Sequence, residues 1–169
     1  MRRCILLFVV LSVVFWVALS SCATVPAENT SSLTWEVYFS PNGECTDAIV
    51  RELDKAQSTV LVQAYSFTSY KIAKGLLDAH KRGVKVEVIL DKSQKSDQYS
   101  SADLLANSGM SVKIGSQHAI AHNKVMIIDG ETVITGSFNF TKAAEENNAE
   151  NLLVIHDRKL AERYMKNWG

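Results

Sequence analysis

The sequence predicts an α/β fold in which a mixed β-sheet is sandwiched by helices. Short apolar, β-branched runs alternate with stretches whose apolar residues recur at helical spacing. A hairpin signal at Asp129-Gly130 adds an antiparallel pair to strands that are otherwise connected through helices. The expected strands are 35–39, 60–67, 84–90, 112–114, 152–155 and the two arms of the hairpin, and the expected helices are 45–57, 69–82, a short one leading to Gly109, 141–148 and 157–168.

The local patterns justify these elements in order. The first strand, 35–39, alternates Trp, Val and Phe with Glu and Tyr, and the sequence SPNG at 40–43 has turn chemistry. The strand at 60–67 is mostly apolar, which is typical of a strand covered on both faces. The helix at 69–82 stops near Gly83, and the polar segment 91–100 is expected to be a surface loop.

The N-terminus is expected to lie outside the fold. Arg2 and Arg3 precede an apolar run at 5–19, and the run is short for a membrane span, which needs about 20 residues. Leu19-Ser20-Ser21-Cys22 resembles a bacterial lipobox. We therefore expect a signal peptide at 1–21 that is cut before a lipidated Cys22, a polar tether at 22–33 and a domain at 34–169. Cleavage near Ala23 or Ala27, or an uncleaved anchor, are the alternatives.

This leader predicts an exported protein, periplasmic or in the cell envelope, that is anchored to a bacterial membrane by lipid. The whole chain carries 18 basic and 18 acidic side chains, so its composition is not that of a polyanion-binding protein. Any contact with nucleic acid must then come from a local patch. Beyond the leader only Cys22 and Cys45 remain, which excludes a disulfide framework.

The hairpin at 122–139 carries the candidate functional groups. With Asp129-Gly130 as the loop, His122 lies opposite Ser137; with Gly130-Glu131 as the loop, His122 lies opposite Asn139. Both registers predict that His122, Lys124, Ser137 and Asn139 share one face. An imidazole, an ammonium, a hydroxyl and a carboxamide on one face indicate an anion site, with phosphate as the expected anion.

The motif around these groups resembles the phospholipase D superfamily. His122, Lys124 and Asp129 followed by Gly136-Ser137 and Asn139 match the signature HxKxxxxD…GSxN. The wider sequence, with AYSF at 64–67, LDKSQ at 90–94 and GSFNFTKAAEENNAEN at 136–151, is similar to the small single-motif bacterial endonucleases of that superfamily. The resemblance covers essentially the whole domain and implies its α-β-α fold and a metal-independent phosphodiesterase without a cofactor.

The chemistry of the residues supports the mechanism that the resemblance implies. His122 would attack phosphorus and form a phosphohistidine, while Lys124 and Asn139 hold the non-bridging oxygens and Ser137 adds a donor. In the family a carboxylate some thirty residues further on orients the histidine, and Glu150 matches that position. Asp129, at the hairpin tip, and Gly136 belong to the motif but are expected to be structural.

In-line displacement needs a nucleophile on one side of phosphorus and an acid on the other, and one histidine cannot serve both sides. A chain with a single motif therefore implies a two-fold homodimer, as in the family. His118 and His122 have the spacing of a zinc helix, but Ala119 occupies the position of the required glutamate. Trp35 and Trp168 are interpreted as core or interface residues.

Two other functions remain open from the sequence. The same four groups could hydrolyse phospholipid head groups, because any phosphodiester fits them and a lipid anchor would hold the site near a membrane. A protein of another class, an inactive lipoprotein that binds nucleic acid or lipid, is the third reading, and the intact motif argues against it.

Overall fold

A computed structural model describes residues 33–95 and 101–168. The expected signal peptide, Cys22 and nearly all of the expected tether lie outside the described residues. Within these two ranges, no helix has the length and apolar character needed to cross a membrane. Cys45 is a buried free thiol.

Seven strands and five α-helices make up the described part of the chain. The strands are β1 (Thr34–Ser40), β2 (Thr59–Ala64), β3 (Lys85–Asp91), β4 (Ser111–Gly115), β5 (Lys124–Ile128), β6 (Thr132–Gly136) and β7 (Glu150–His156). The helices are α1 (Cys45–Lys55), α2 (Tyr70–Lys81), α3 (Ala102–Asn107), α4 (Lys142–Glu146) and α5 (Arg158–Asn167).

All seven strands form one mixed sheet in the order β1-β7-β6-β5-β2-β3-β4. The pairs β2–β3 and β3–β4 are parallel, and the other four pairs are antiparallel. The predicted fold class is therefore confirmed. Helices α2 and α3 lie in the two parallel connections, because the chain must return to the starting end of the sheet before a parallel strand can begin.

The two faces of the sheet have separate hydrophobic cores. One face, the α1/α2 face, packs the larger core, which includes Val62, Met126 and Val154 with side chains of the two helices. The other face, the α5 face, carries a smaller core in which Val125, Ile127 and Val133 meet Ala161 of α5. Because side chains of a strand alternate, the even-numbered residues of β5 lie on the α1/α2 face.

Several element boundaries differ from the prediction. Strand β2 ends at Ala64, because the chain leaves the sheet there and Phe67 makes only an isolated bridge with Phe140. The segment expected to be a loop from 91 begins with the buried end of β3 at Asp91 and a 3₁₀ turn over Lys92–Lys95. Residues 96–100 of that expected loop lie outside the described residues.

Both predicted hairpin registers are wrong. Ile128 pairs with Thr132, so three residues, Asp129 to Glu131, form the loop. Asp129 and Gly130 both have positive φ, 54° and 66°, which lets the chain reverse over three residues. In this register Lys124 stands level with Gly136 and not with Ser137. The pairing that was expected to place all four polar side chains on one face is therefore not formed.

Candidate active site

The candidate residues gather at one end of three neighbouring strands. Lys124 begins β5, Gly136 ends β6 and Glu150 begins β7. These strands are adjacent and antiparallel, so the three residues lie at the same end of the strands. His122 precedes β5 by two residues and lies at this end of the strands, while the hairpin loop lies at the opposite end.

His122 and Lys124 are in direct contact. The Lys124 Nζ lies 3.1 Å from both His122 Nδ1 and His122 Nε2, and it donates to the His122 carbonyl oxygen at 3.0 Å. An ammonium can only donate, so a ring nitrogen that accepts from it must be unprotonated. The imidazole ring is exposed to solvent, so its nitrogens are accessible to a substrate.

Lys124 is buried, and its charge is balanced only in part. Burial lowers the pKa of the Lys124 ammonium, and the Glu150 carboxylate opposes this effect by favouring the charged form. The face of the Tyr65 ring lies 4.9 Å from Nζ, where the quadrupole of the ring attracts a cation. The same ring contacts the His122 imidazole, with 4.4 Å between centroids. Tyr65 thus touches both groups.

Ser137 and Asn139 follow the last residue of β6. The Ser137 Oγ accepts hydrogen bonds from the Asn151 backbone N–H at 3.1 Å and from its side-chain amide at 3.4 Å. These bonds use the lone pairs of the oxygen, so its hydrogen remains for a further acceptor. The Asn139 Oδ1 is buried and is without a hydrogen-bond partner among the described residues. A buried amide of this kind costs stability, which is typical of a group with a functional role.

Glu150 lies near Lys124 but is not bonded to the histidine in this chain. Its carboxylate accepts from the Asn148 side chain at 3.2 Å. Over residues 33–95 and 101–168, no hydrogen bond joins Glu150 to the His122 ring. Its direct electrostatic effect is on Lys124, and orientation of His122 by Glu150 stays a prediction.

Asp129 and Gly136, the motif residues expected to be structural, have local partners. The Asp129 carboxylate accepts from the backbone N–H groups of Gln57, Ser58 and Thr59 at 2.8–2.9 Å. Burial raises the pKa of Asp129, but these hydrogen bonds outweigh it and the pKa is lowered. At Gly136, where φ is 150°, a Cβ would lie 2.3 Å from the Asn151 carbonyl oxygen, so only glycine fits.

Sequence reasoning missed two residues that hold the site. Tyr65 lies in the AYSF segment, which was used only for the resemblance. The polar sequence pattern places Asp91 in a surface loop, but the structure shows that it is buried. Its carboxylate accepts hydrogen bonds from the backbone N–H of Ser93 at 2.9 Å and of Ala121 at 2.7 Å. Asp91 thereby fixes the residue next to His122. An aspartate directly after an apolar strand was the available signal.

The chain also matches a known family. Residues 49–168 match the family model described as "Cardiolipin synthase, PLD-like domain". This chain belongs to the phospholipase D superfamily. The predicted membership is therefore confirmed. No group of three or more His, Cys, Asp or Glu side chains that could hold a metal ion occurs in the described part of the chain.

Curated relatives in this superfamily carry names of phosphodiester hydrolases. The chain is 45% identical over 130 residues to "Phospholipase D" of Rickettsia prowazekii, which covers 77% of this chain and 63% of that protein. It is 31% identical over 142 residues to "Mitochondrial cardiolipin hydrolase" of Xenopus laevis, covering 78% and 67%. The chain spans 63–65% of the length of the Rickettsia relatives that it matches.

Two solved structures are similar to this chain over nearly their whole length. The phospholipase D family member Nuc from Salmonella typhimurium superposes with a TM-score of 0.77 at 41% identity, covering 81% of this chain and 92% of that chain. NucT from Helicobacter pylori superposes with a TM-score of 0.72 at 26% identity, covering 81% and 94%.

Proposed function

We propose that this protein is a phosphodiester hydrolase that works through a covalent phosphohistidine. The observation that carries the proposal is the contact between Lys124 and His122, in which a buried ammonium lies 3.1 Å from both nitrogens of an exposed imidazole. General acid–base help alone supplies about 10²–10⁴-fold in rate, which is too little for a phosphodiester. A nucleophile next to a pre-placed cation supplies covalent and electrostatic catalysis together.

The reaction takes two displacements at phosphorus. In the first, a neutral ring nitrogen of His122 forms a bond to phosphorus as the bond to the leaving oxygen breaks, and an acid on the far side protonates that oxygen. In the second, the far-side group, which gave up its proton in the first step, takes a proton from water as the water oxygen bonds to phosphorus and the P–N bond to His122 breaks. Lys124, Asn139 and Ser137 donate to the non-bridging oxygens, where negative charge develops. Glu150 stabilises the charged form of Lys124.

The far-side acid comes from a second copy of the chain. Each chain carries one HxK motif, and a two-fold axis brings a second His122 to the other side of the same phosphorus. His156 is not available for this step, because it interacts with Thr132 at the end of the sheet opposite His122. The active unit that we propose is therefore a homodimer with one shared site.

Nucleic acid is the proposed substrate, cleaved with little sequence preference and without a metal. Supporting this are the motif context of single-motif endonucleases and the match to Nuc over 92% of its chain. The second candidate is hydrolysis of phospholipid head groups, which the relatives named "Phospholipase D" at 45% identity favour. We also propose export and a lipid anchor at Cys22, supported by the leader and the lipobox-like sequence.

The substitution His122→Asn tests this function. Turnover of plasmid DNA and RNA in EDTA should be abolished, while the melting temperature and the affinity for nucleic acid are kept, because asparagine removes only the nucleophile. His156→Asn is the matched control, since that histidine lies at the other end of the sheet, and it should leave turnover unchanged.

Unchanged turnover in the His122→Asn protein would refute the proposal. Phosphatidylcholine vesicles in the same buffer separate the two candidate substrates. Hydrolysis of the vesicles without cleavage of nucleic acid would make the phospholipid reading the correct one. Binding of nucleic acid or lipid without any hydrolysis would point to the inactive lipoprotein.

A further inference from the structure

A cavity lies beside the loop that carries His122. Its volume is about 360 Å³, within the size range of small-molecule sites. Ala121 and Asn123, the chain neighbours of His122, both line it. The Asn123 side chain donates to Gln63 at 3.2 Å, and Gln63 belongs to β2 on the α5 face of the sheet. The cavity is thus next to the site but on the side of the strand away from Lys124.

The described lining of the cavity combines polar and apolar surface and includes no carboxylate. Four carboxamides contribute to it, those of Gln63, Gln117, Asn123 and Asn167. Lys113 and His118 supply the ionisable groups, and Ile89, which pairs with Lys113 in the sheet, supplies an apolar surface. Among the described residues that line the cavity there is no carboxylate and no aromatic side chain other than the imidazole of His118. We call this cavity the amide pocket.

The walls of the amide pocket are held in place by hydrogen bonds to the backbone of its loop. The Asp91 carboxylate fixes the backbone of Ala121 at 2.7 Å, and the backbone N–H of Tyr65 donates to the Asn123 carbonyl at 2.8 Å. Lys92 donates to the carbonyl of His118 at 3.5 Å. These bonds restrain the backbone of the walls, which lowers the cost of ordering the pocket around a ligand.

We propose that the amide pocket binds the nucleobase of a nucleotide that flanks the scissile phosphate. The inference rests on the proposed phosphodiester hydrolase, and it names nucleic acid as the substrate class. A carboxamide both donates and accepts, so four of them can pair with the mixed donors and acceptors of a base edge. The side chain of Ile89 offers an apolar surface to the face of the base, and Lys113 attracts a neighbouring phosphate.

The same composition argues against a choline or ethanolamine head group in this pocket. Choline and ethanolamine are cations, and proteins bind them with carboxylates or with cages of aromatic rings. Neither group is present among the described lining residues, while Lys113 would repel a cation. Chemical complementarity therefore favours a nucleotide.

The test compares substrates with and without a base. The full chain, its double variant Lys113→Gln/Asn167→Ala and the control Lys85→Gln are assayed with a single-stranded DNA oligonucleotide and with bis(p-nitrophenyl) phosphate. Lys85 begins β3, and its end of the strand is opposite the pocket. We expect the double variant to raise KM for the oligonucleotide about tenfold, the effect of losing one hydrogen bond to a charged group. The kcat/KM for the oligonucleotide divided by that for bis(p-nitrophenyl) phosphate should therefore fall about tenfold in the double variant. The control Lys85→Gln should keep the kcat/KM of the unsubstituted protein for both substrates.

Equal losses on both substrates, or no loss on either, would overturn the proposal, because the pocket would then be structural or unused. A loss confined to phosphatidylethanolamine vesicles would also overturn it, since the pocket would then hold a head group.

A binding measurement separates this proposal from the proposed function. In the His122→Asn background, Lys113→Gln/Asn167→Ala should weaken the Kd for a fluorescent oligonucleotide about tenfold by anisotropy. If the unsubstituted protein hydrolyses neither diester, the proposed function fails, and this Kd still decides whether the pocket binds nucleic acid. An unchanged Kd would refute the pocket.

Discussion

At the scale of single residues, the site depends on how a buried ammonium is kept next to an exposed imidazole. Lys124 loses hydration on burial, and its compensation comes from Glu150 and from the face of Tyr65. The ring of Tyr65 also contacts the ring of His122. We therefore propose that Tyr65 is a positioning residue, because its ring contacts both His122 and Lys124.

Replacing Tyr65 separates the role of its ring from that of its hydroxyl. Tyr65→Phe should keep kcat, whereas Tyr65→Leu should lower kcat about tenfold with little change in KM, because a partly desolvated cation–π contact contributes about that much. The face of the ring favours charged Lys124, so its loss should also move the alkaline limb of the kcat–pH profile to lower pH. A Tyr65→Leu protein with the kcat and pH profile of the unsubstituted protein would contradict this role.

At the scale of secondary structure, the β5–β6 hairpin is stabilised at the end away from the site. The three-residue loop turns the Asp129 carboxylate towards the start of β2, where it accepts from three consecutive backbone N–H groups. These bonds join the loop to the strand that pairs with β5. The motif aspartate therefore acts on the hairpin that carries His122 and Lys124, and not on the phosphate.

Asp129→Asn should lower the free energy of unfolding at neutral pH by about 1 kcal/mol while leaving kcat unchanged. Asparagine tolerates the positive φ of this position, so the substitution isolates the charge. The folded-state pKa of Asp129 is lowered, so its stabilisation is present above the unfolded-state pKa and is lost as pH falls through the folded-state pKa. Urea unfolding should show the two proteins converging in acid. A loss of kcat at unchanged stability would contradict this assignment.

At the scale of the whole molecule, the edge strand β1 presents apolar side chains to solvent. Leu33, Trp35, Val37 and Phe39, which we call the β1 row, are 58%, 62%, 40% and 62% exposed. Trp35 pairs with Ile155 and Val37 with Leu153, so the row lies on the α5 face. Edge strands are normally protected by charges, and such a row of large apolar residues indicates a surface that is covered in the functional assembly.

We propose that a second copy of this chain covers the β1 row. Phe39 pairs with Asn151, whose side chain and backbone bond to Ser137 of the candidate site. The row therefore runs up to the end of the strands at which His122 lies. A two-fold axis there would bring two copies of the site together. Aromatic side chains are also enriched at the centres of such interfaces.

Trp35→Glu/Phe39→Glu should convert the proposed dimer into monomers and abolish turnover, because each monomer keeps only one copy of the His122 imidazole. The matched control is Tyr70→Glu, which adds a charge at an aromatic residue that is 70% exposed and belongs to α2. Sedimentation equilibrium of the full chain in density-matched detergent measures the mass. An unchanged dimer would contradict the assignment, and an unchanged dimer that no longer binds phosphatidylglycerol vesicles would show that the row contacts lipid.

The sequence by itself determined the fold class, the hairpin and the membership of the superfamily. These follow from local patterns: alternating apolar residues, helical spacing, the Asp129-Gly130 turn signal and a motif of fixed spacing. Asp129 was also correctly located at the loop end of the hairpin, because turn residues carry their own conformational signal.

Only the tertiary structure decided the register and the surroundings of the site. One extra residue in the loop shifts every pair in the hairpin, and a turn signal does not specify that length. Tyr65, Asp91 and the amide pocket come from segments far from His122 in sequence, which the sheet order brings beside it. Contacts between distant segments depend on how strands are ordered and packed, and no local pattern in the sequence encodes them.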